Sequence, residues 1–212
     1  MICGVDEAGK GAVLGPLVVA GVCCGSEEEC RRLGARDSKE LTPSRRRELS
    51  RKIERQFRHA VISIEPAEID AAMERSTLND LLASAHAEIV RRLKPDVVYL
   101  DSCDVDAARF GGHVKGLLGF ECSIHSLHGA DRRHPVVGAA SIIAKVRRDL
   151  AMEELCRVHG ELGSGYPSDR ITRKFLERYI AEHGAPPPYA RKRWRTIARM
   201  MGEREQRRFP GA

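Results

Sequence analysis

Four acids stand where an α/β chain places its chemistry. Asp6 and Glu7 are adjacent at the end of the first apolar run, Asp101 follows the β-branched and aromatic run Val97–Leu100, and Asp131 lies in a polar stretch before a long helical pattern. Carboxylates gathered without matching bases repel one another, and a hard divalent cation is the usual reason for such a cluster. Magnesium or manganese fits that donor set. Two such ions about 3.5–4 Å apart activate a water and stabilise the leaving oxygen of a phosphodiester. The His and Cys residues show no zinc spacing near these acids. Taken singly, each acid also reads as a cap or turn residue, and Asp104 and Asp106 are read that way. Neighbours on a regular strand face opposite sides, so Asp6 and Glu7 share one site only if the chain bends, which Ala8-Gly9 permits.

The elements that must carry these acids follow from the hydrophobic pattern. Ile2–Asp6 reads as a strand, Ala8–Gly15 as a turn, and the continuously apolar Leu17–Cys24 as a buried second strand. Glu27–Leu33 reads as a short helix and 37–42 as a polar loop. Pro43–Gln56 reads as a helix with Pro in its first turn, and Arg58–Ile64 as a third strand. Pro66–Met73 and Leu78–Leu93 read as helices, the latter capped by Ser76 or Thr77. Val97–Leu100 and Glu121–Leu127 read as strands. Pro135–Val158, Ser168–His183 and Ala190–Met201 read as helices, the last two separated by the breaker Gly184–Pro188. The expected fold class is α/β: a mixed five-stranded sheet flanked by helices, with a small helical C-terminal part.

With 212 residues and 42% hydrophobic content, the chain suits one compact domain, or one domain with a small appendage. Its seven Cys lack paired spacing, which favours a reducing interior. The opening apolar run contains Asp6, Glu7 and Lys10, so it reads as neither signal peptide nor membrane span, and the expected location is cytoplasmic. The net charge of +6 concentrates in a tail from Arg191 to Arg208 with Trp194 inside it. Such a tail would supply salt-dependent phosphate affinity, or be a solvated helix face.

Gly9-Lys10-Gly11 lets backbone N–H groups approach a phosphate or sugar while Lys10 adds charge, although the spacing is not that of a P-loop. Together, Asp6-Glu7-Ala8-Gly9-Lys10-Gly11 and Gly15-Pro16 resemble the opening signature of the type 2 ribonucleases H, or ribonuclease HII. The resemblance covers most of the chain. It continues through Asp37-Ser38-Lys39-Glu40-Leu41, Tyr99-Leu100-Asp101-Ser102, Ala139-Ala140-Ser141-Ile142-Ile143-Ala144-Lys145-Val146 and Gly163-Ser164-Gly165-Tyr166-Pro167-Ser168-Asp169. The Arg193-Trp194-x-Thr196 ending is similar to the archaeal branch.

The resemblance implies an RNase H-like catalytic domain over 1–160 and a basic, helical, substrate-binding part over 161–212. It implies hydrolysis of RNA in RNA–DNA hybrids and cleavage 5′ of single ribonucleotides in duplex DNA, with 3′-hydroxyl and 5′-phosphate products. By position, Asp6, Glu7, Asp101 and Asp131 would bind Mg²⁺ or Mn²⁺. Gly9, Lys10 and Gly11 would read the 2′-OH, Tyr166 would stack on the sugar beyond the ribonucleotide, and Ser38, Lys39 and Lys145 would hold phosphates, with Arg147 a further phosphate contact. Lys10 replaces the family's usual Arg, keeping the charge but losing the planar fork. Gly129 and Gly138 replace a usual Lys and Ser, so substrate grip would be weaker, or supplied by Arg132 and Arg133 instead. The expected state is a monomer without membrane contact; a sliding-clamp contact through Gln206 and Phe209 is weakened by the missing aromatic pair. Two readings compete: another two-metal nuclease such as a junction resolvase, and a non-catalytic nucleic-acid-binding module.

Overall fold

The computed structural model describes residues 1–34 and 41–208, and side chains through residue 202. Ser38 and Lys39 lie outside the described residues. Five strands are β1 (Ile2–Ala8), β2 (Leu17–Cys24), β3 (Arg58–Ile64), β4 (Val97–Asp101) and β5 (Ser123–Leu127). The helices are α1 (Glu27–Arg32), α2 (Pro43–Gln56), α3 (Pro66–Ala72), α4 (Leu78–Leu93), α5 (Ala107–Gly116), α6 (Ala130–Arg133), α7 (Pro135–His159), α8 (Arg170–His183) and α9 (Arg195–Arg208). The strands form one mixed sheet in the order β3-β2-β1-β4-β5, with β1 antiparallel to β2 and parallel to β4, and β4 parallel to β5. This is the expected α/β class. Among the described residues, no helix is long and apolar enough to cross a membrane.

The chain forms two compact units that no single cut separates. One comprises Met1–Ala8, Val18–Ser63 and Thr77–Arg147; the other comprises Gly9–Leu17, Ile64–Ser76 and Arg148–Ala212. In the first, β1 is the middle strand and both its faces are covered. A Cβ on Gly4 would lie 2.4 Å from backbone atoms of Val136 and Val137 in α7, so only hydrogen fits there. Across the pair, Gly21 is the register partner of Val5 and faces the other way, where its Cβ would lie 2.3 Å from Ile89 of α4. Helices therefore pack on opposite faces of the β1–β2 pair. The second unit has its own core, built from Val13, Leu14, Met152, Leu162, Phe175, Leu176, Ile180 and Ile197.

Four elements have both limits where the sequence predicts: β2, α2, β3 and α4, the last capped by Thr77 through Asp80 N. Others differ for physical reasons. β1 continues past Asp6, because its ladder with β2 runs to Ala8 opposite Val18, so Asp6 and Glu7 lie within the strand. Asp131 lies in the short helix α6, and not in a loop. α5 is unforeseen: Gly111, Gly112 and Gly116 dilute its helical pattern, yet Asp106 caps it by accepting from Arg109 N. α9 starts at Arg195 and not Ala190, because Ala190 bridges Leu14 and the Arg191 amide donates to Val13 O.

Replacing Gly4 with Ala forces its methyl into the α7 backbone. The expected cost is about 1–3 kcal/mol of folding stability, measured by urea denaturation. An unchanged midpoint would contradict the close packing of α7 on β1.

Candidate active site

Alternation along β1 decides which way each acid points. Asp6 shares the Gly4 face, toward α7, and Glu7 shares the Val5 face, toward α4. Asp6 thereby meets Asp101, the last residue of β4, and Asp131 of α6. One carboxylate oxygen from each of the three lies within 4.8 Å of the others. Asp6 and Asp131 are buried, and Asp101 is half-buried. Glu7 is not among the three. Its Oε2 lies 3.3 Å from Nε2 of His86, a fully buried ring on α4 that meets Phe110 edge-on.

Local backbone geometry holds the aspartates. Asp6 Oδ1 accepts from the Glu7 amide at 2.7 Å, and Asp101 Oδ1 accepts from the Ala130 amide at 2.9 Å. The second contact depends on the turn into α6, where Gly129 takes a left-handed φ of 63° that a bare backbone adopts freely. Glycine at this position thus suits the turn. Ser141 of α7, fully buried, donates to the Asp6 carboxylate, and Lys145 Nζ donates to Ser141 Oγ at 2.8 Å. Lys145 therefore reaches the acid cluster through a hydroxyl. Arg147 pairs with Glu54 at 3.1 Å.

The cluster is electrostatically costly. Burial, then the charges of Glu7 and Asp101, push the Asp6 carboxyl well above the ordinary carboxylate range. Burial foremost, with the charges of Asp131 and Glu7, also raises Asp101 against the lowering effect of the α6 amides. Three carboxylates this close are a donor set that a hard divalent cation satisfies.

In the second unit, Gly9 is buried, Lys10 half-buried and Gly11 exposed, and the turn closes with Ala12 N donating to Gly9 O at 3.2 Å. Tyr166 is half-buried, with its ring 4.6 Å from the Arg148 guanidinium carbon. Arg191 is fully buried, which removes it from the solvated face that the sequence suggests, whereas Arg193 stays exposed and pairs with Glu74 at 3.1 Å.

Sequence reasoning passed over His86, the role of Ser141, and Arg148. The signal was a polar residue on a buried helical stripe: His86 falls in the series Leu82, His86, Ile89, Leu93, and the other two in Val137, Ser141, Ala144, Arg148, Met152.

A family model described as Ribonuclease HII matches residues 3–197. The Ribonuclease HII of Methanoregula boonei is 48% identical over 206 residues, covering 97% of each chain. The crystal structure of ribonuclease H2 from Pyrococcus horikoshii OT3 superimposes with a TM-score of 0.90 at 38% identity, covering 97% of this chain and 99% of that one. The Archaeoglobus fulgidus enzyme, solved in a PCNA:RNase HII complex, gives a TM-score of 0.87 at 44% identity, covering 94% of this chain and 96% of its own.

A carboxyl with a raised folded pKa holds its proton more tightly folded than unfolded. Its contribution to stability therefore falls as pH climbs from the ordinary value of 3.8 toward the raised one. Asp6→Asn escapes that loss. Without divalent metal, the variant is expected to melt higher than the wild type near neutral pH, and the gap should close below the ordinary carboxylate range. Saturating Mn²⁺ should reverse the order by binding the intact site. A metal-free variant less stable than wild type at neutral pH would contradict the repulsion.

Proposed function

Since the chain belongs to the ribonuclease HII family, and is thus a hydrolytic endoribonuclease of the ribonuclease H type, we propose that it cuts RNA–DNA hybrids and duplex DNA on the 5′ side of single embedded ribonucleotides. The observation that carries this reading is the meeting of Asp6, Asp101 and Asp131, from three separate elements, within 4.8 Å. These three would hold Mg²⁺ or Mn²⁺, with Glu7 as the fourth carboxylate, charge-coupled to Asp6 and Asp101. Bound divalent metal supplies an activated water and charge stabilisation for in-line displacement at phosphorus, by a two-metal mechanism that leaves 3′-hydroxyl and 5′-phosphate ends.

The protein's own groups do the rest. Asp6 is aimed by the Glu7 amide and Ser141, and Asp101 by the Ala130 amide. Lys145 places positive charge beside Ser141, which tempers the repulsion at the acids and draws in phosphate. Gly9, Lys10 and Gly11 would read the 2′-OH, which RNA offers and DNA lacks, and Tyr166 would stack on the neighbouring deoxyribose. Ser38 and Lys39, outside the described residues, are assigned phosphate contacts on the motif alone. Cutting thus belongs to the catalytic part, 1–160, and substrate grip to 161–212 together with the Gly9–Gly11 turn.

We further propose that the enzyme works as a monomer in the cytoplasm. Because the Archaeoglobus fulgidus relative forms a complex with PCNA, a clamp contact through the C-terminal segment joins the proposal. Phe209 of that segment lies outside the described residues.

A duplex with one embedded ribonucleotide is expected to be cut in Mg²⁺ or Mn²⁺ and left intact in chelator. Asp101→Asn should lower turnover by about a hundredfold or more, the scale seen when a charge-stabilising group leaves a transition state. Near-normal turnover in the folded variant would overturn the site. Cleavage of four-way DNA junctions with ribonucleotide duplexes untouched would make it a resolvase. Salt-dependent, metal-indifferent binding without cleavage would make it a binding module.

A further inference from the structure

Two arginines sit inside the second unit with no acid in ion-pair contact among the described residues. Arg191 is wholly buried and Arg148 is 4% exposed, and among the described residues neither forms an ion pair. Burying a guanidinium without a carboxylate is expensive. Burial first, then the like charge of Arg148, lowers Arg191 to about 10. A fold retains so costly an arrangement where the donors fix something else.

What they fix is a pair of loops. Arg191 donates from Nε and Nη2 to Gly15 O at 3.2 and 3.1 Å and from Nη1 to Lys10 O at 3.2 Å, spanning both ends of the Lys10–Gly15 turn. Its own amide donates to Val13 O at 2.9 Å, and Trp194 covers its planar face at 5.0 Å. Arg148 donates to Ser164 O at 2.9 Å and lies over the Tyr166 ring. Its side chain also fills the space that a Cβ on Gly9 would need, 2.6 Å from Nε and 2.7 Å from Cδ. The loops are laced directly as well, with the Val13 and Leu14 amides donating to Gly165 O at 2.8 and 3.1 Å.

We propose that Arg148 and Arg191 are positioning residues that lock the Gly9-Lys10-Gly11 turn and the Tyr166 ring into one rigid ribonucleotide reader. This rests on the proposed roles of that turn and of Tyr166. Arg191 sets the path of the turn from within. Arg148, wedged between the bare Gly9 and the Tyr166 ring, sets the spacing between the sugar reader and the stacking surface. Lysine keeps the charge at either position but supplies neither the fork that spans two carbonyls nor the plane that stacks.

A single embedded ribonucleotide offers one 2′-OH in one register, whereas an all-RNA strand offers one in every register. A misplaced reader therefore harms the first substrate more than the second. The test compares kcat/KM for the two substrates in wild type, Arg148→Lys and Arg191→Lys, with thermal melting and Mn²⁺ titration calorimetry on each. The expected result is a fall of about tenfold or more in the ratio of single-ribonucleotide to all-RNA cleavage, the order of loss that a small misplacement brings, with Mn²⁺ affinity unchanged. In a Tyr166→Ala background, Arg148→Lys should change the ratio much less, because the two act as a unit. If one Lys variant does not fold, the other reads the same ratio from the opposite loop. Equal losses on both substrates, or an unmoved ratio, would overturn the inference. A wild type that fails to cut ribonucleotide-containing duplex would instead overturn the functional reading beneath it.

Discussion

Successive side chains of a β-strand point to opposite faces, and β1 is the middle strand of five, so each of its residues answers to whatever packs on its own side. Gly4 gives way to the backbone of α7, and two residues on, the same face delivers Asp6 to Ser141, Asp101 and Asp131. The other face carries Val5 and then Glu7, which arrives beside His86 on α4. A register slip of one residue would exchange these destinations. The parallel pairing of β1 with β4 matters equally, since it brings Asp101, 95 positions along the chain from Asp6, to the same end of the sheet.

The acid cluster and the arginine pair are opposite versions of one problem. Each gathers like charges in a low-dielectric place, where repulsion and lost hydration weaken the fold. Backbone amides and a serine hydroxyl temper the acids, and the proposed divalent cation would complete the compensation. For the arginines the answer is carbonyl oxygens and aromatic faces, with the charge retained. Such concessions mark places where function outweighs stability.

Much of this was legible in the sequence. β2, an unbroken apolar run, and α4, an amphipathic pattern with a Thr cap, have the limits their patterns imply. Asp101 was legible because its strand stops there. What escaped was set by tertiary contact. α5 hides behind glycines, one of which, Gly111, is needed where a Cβ would come 2.9 Å from Ser126 Cβ. The extension of β1 to Ala8 depends on its partner strand, so the bend that would put Asp6 and Glu7 on one side does not fall between them, and the two acids face opposite ways. Arg191 looked like the start of a solvated basic tail, and nothing local to it reveals that its donors reach carbonyls 176 and 181 positions away.

The proposed site requires that the aspartates hold metal directly against the phosphate that is cut. Replacing a non-bridging oxygen of the phosphate 5′ of an embedded ribonucleotide with sulfur, and comparing cleavage in Mg²⁺ with cleavage in Mn²⁺, tests that contact most directly. With direct contact, one thio diastereomer is cut poorly in Mg²⁺ and recovers in the more thiophilic Mn²⁺. An equal thio effect in both ions, for both diastereomers, would contradict it.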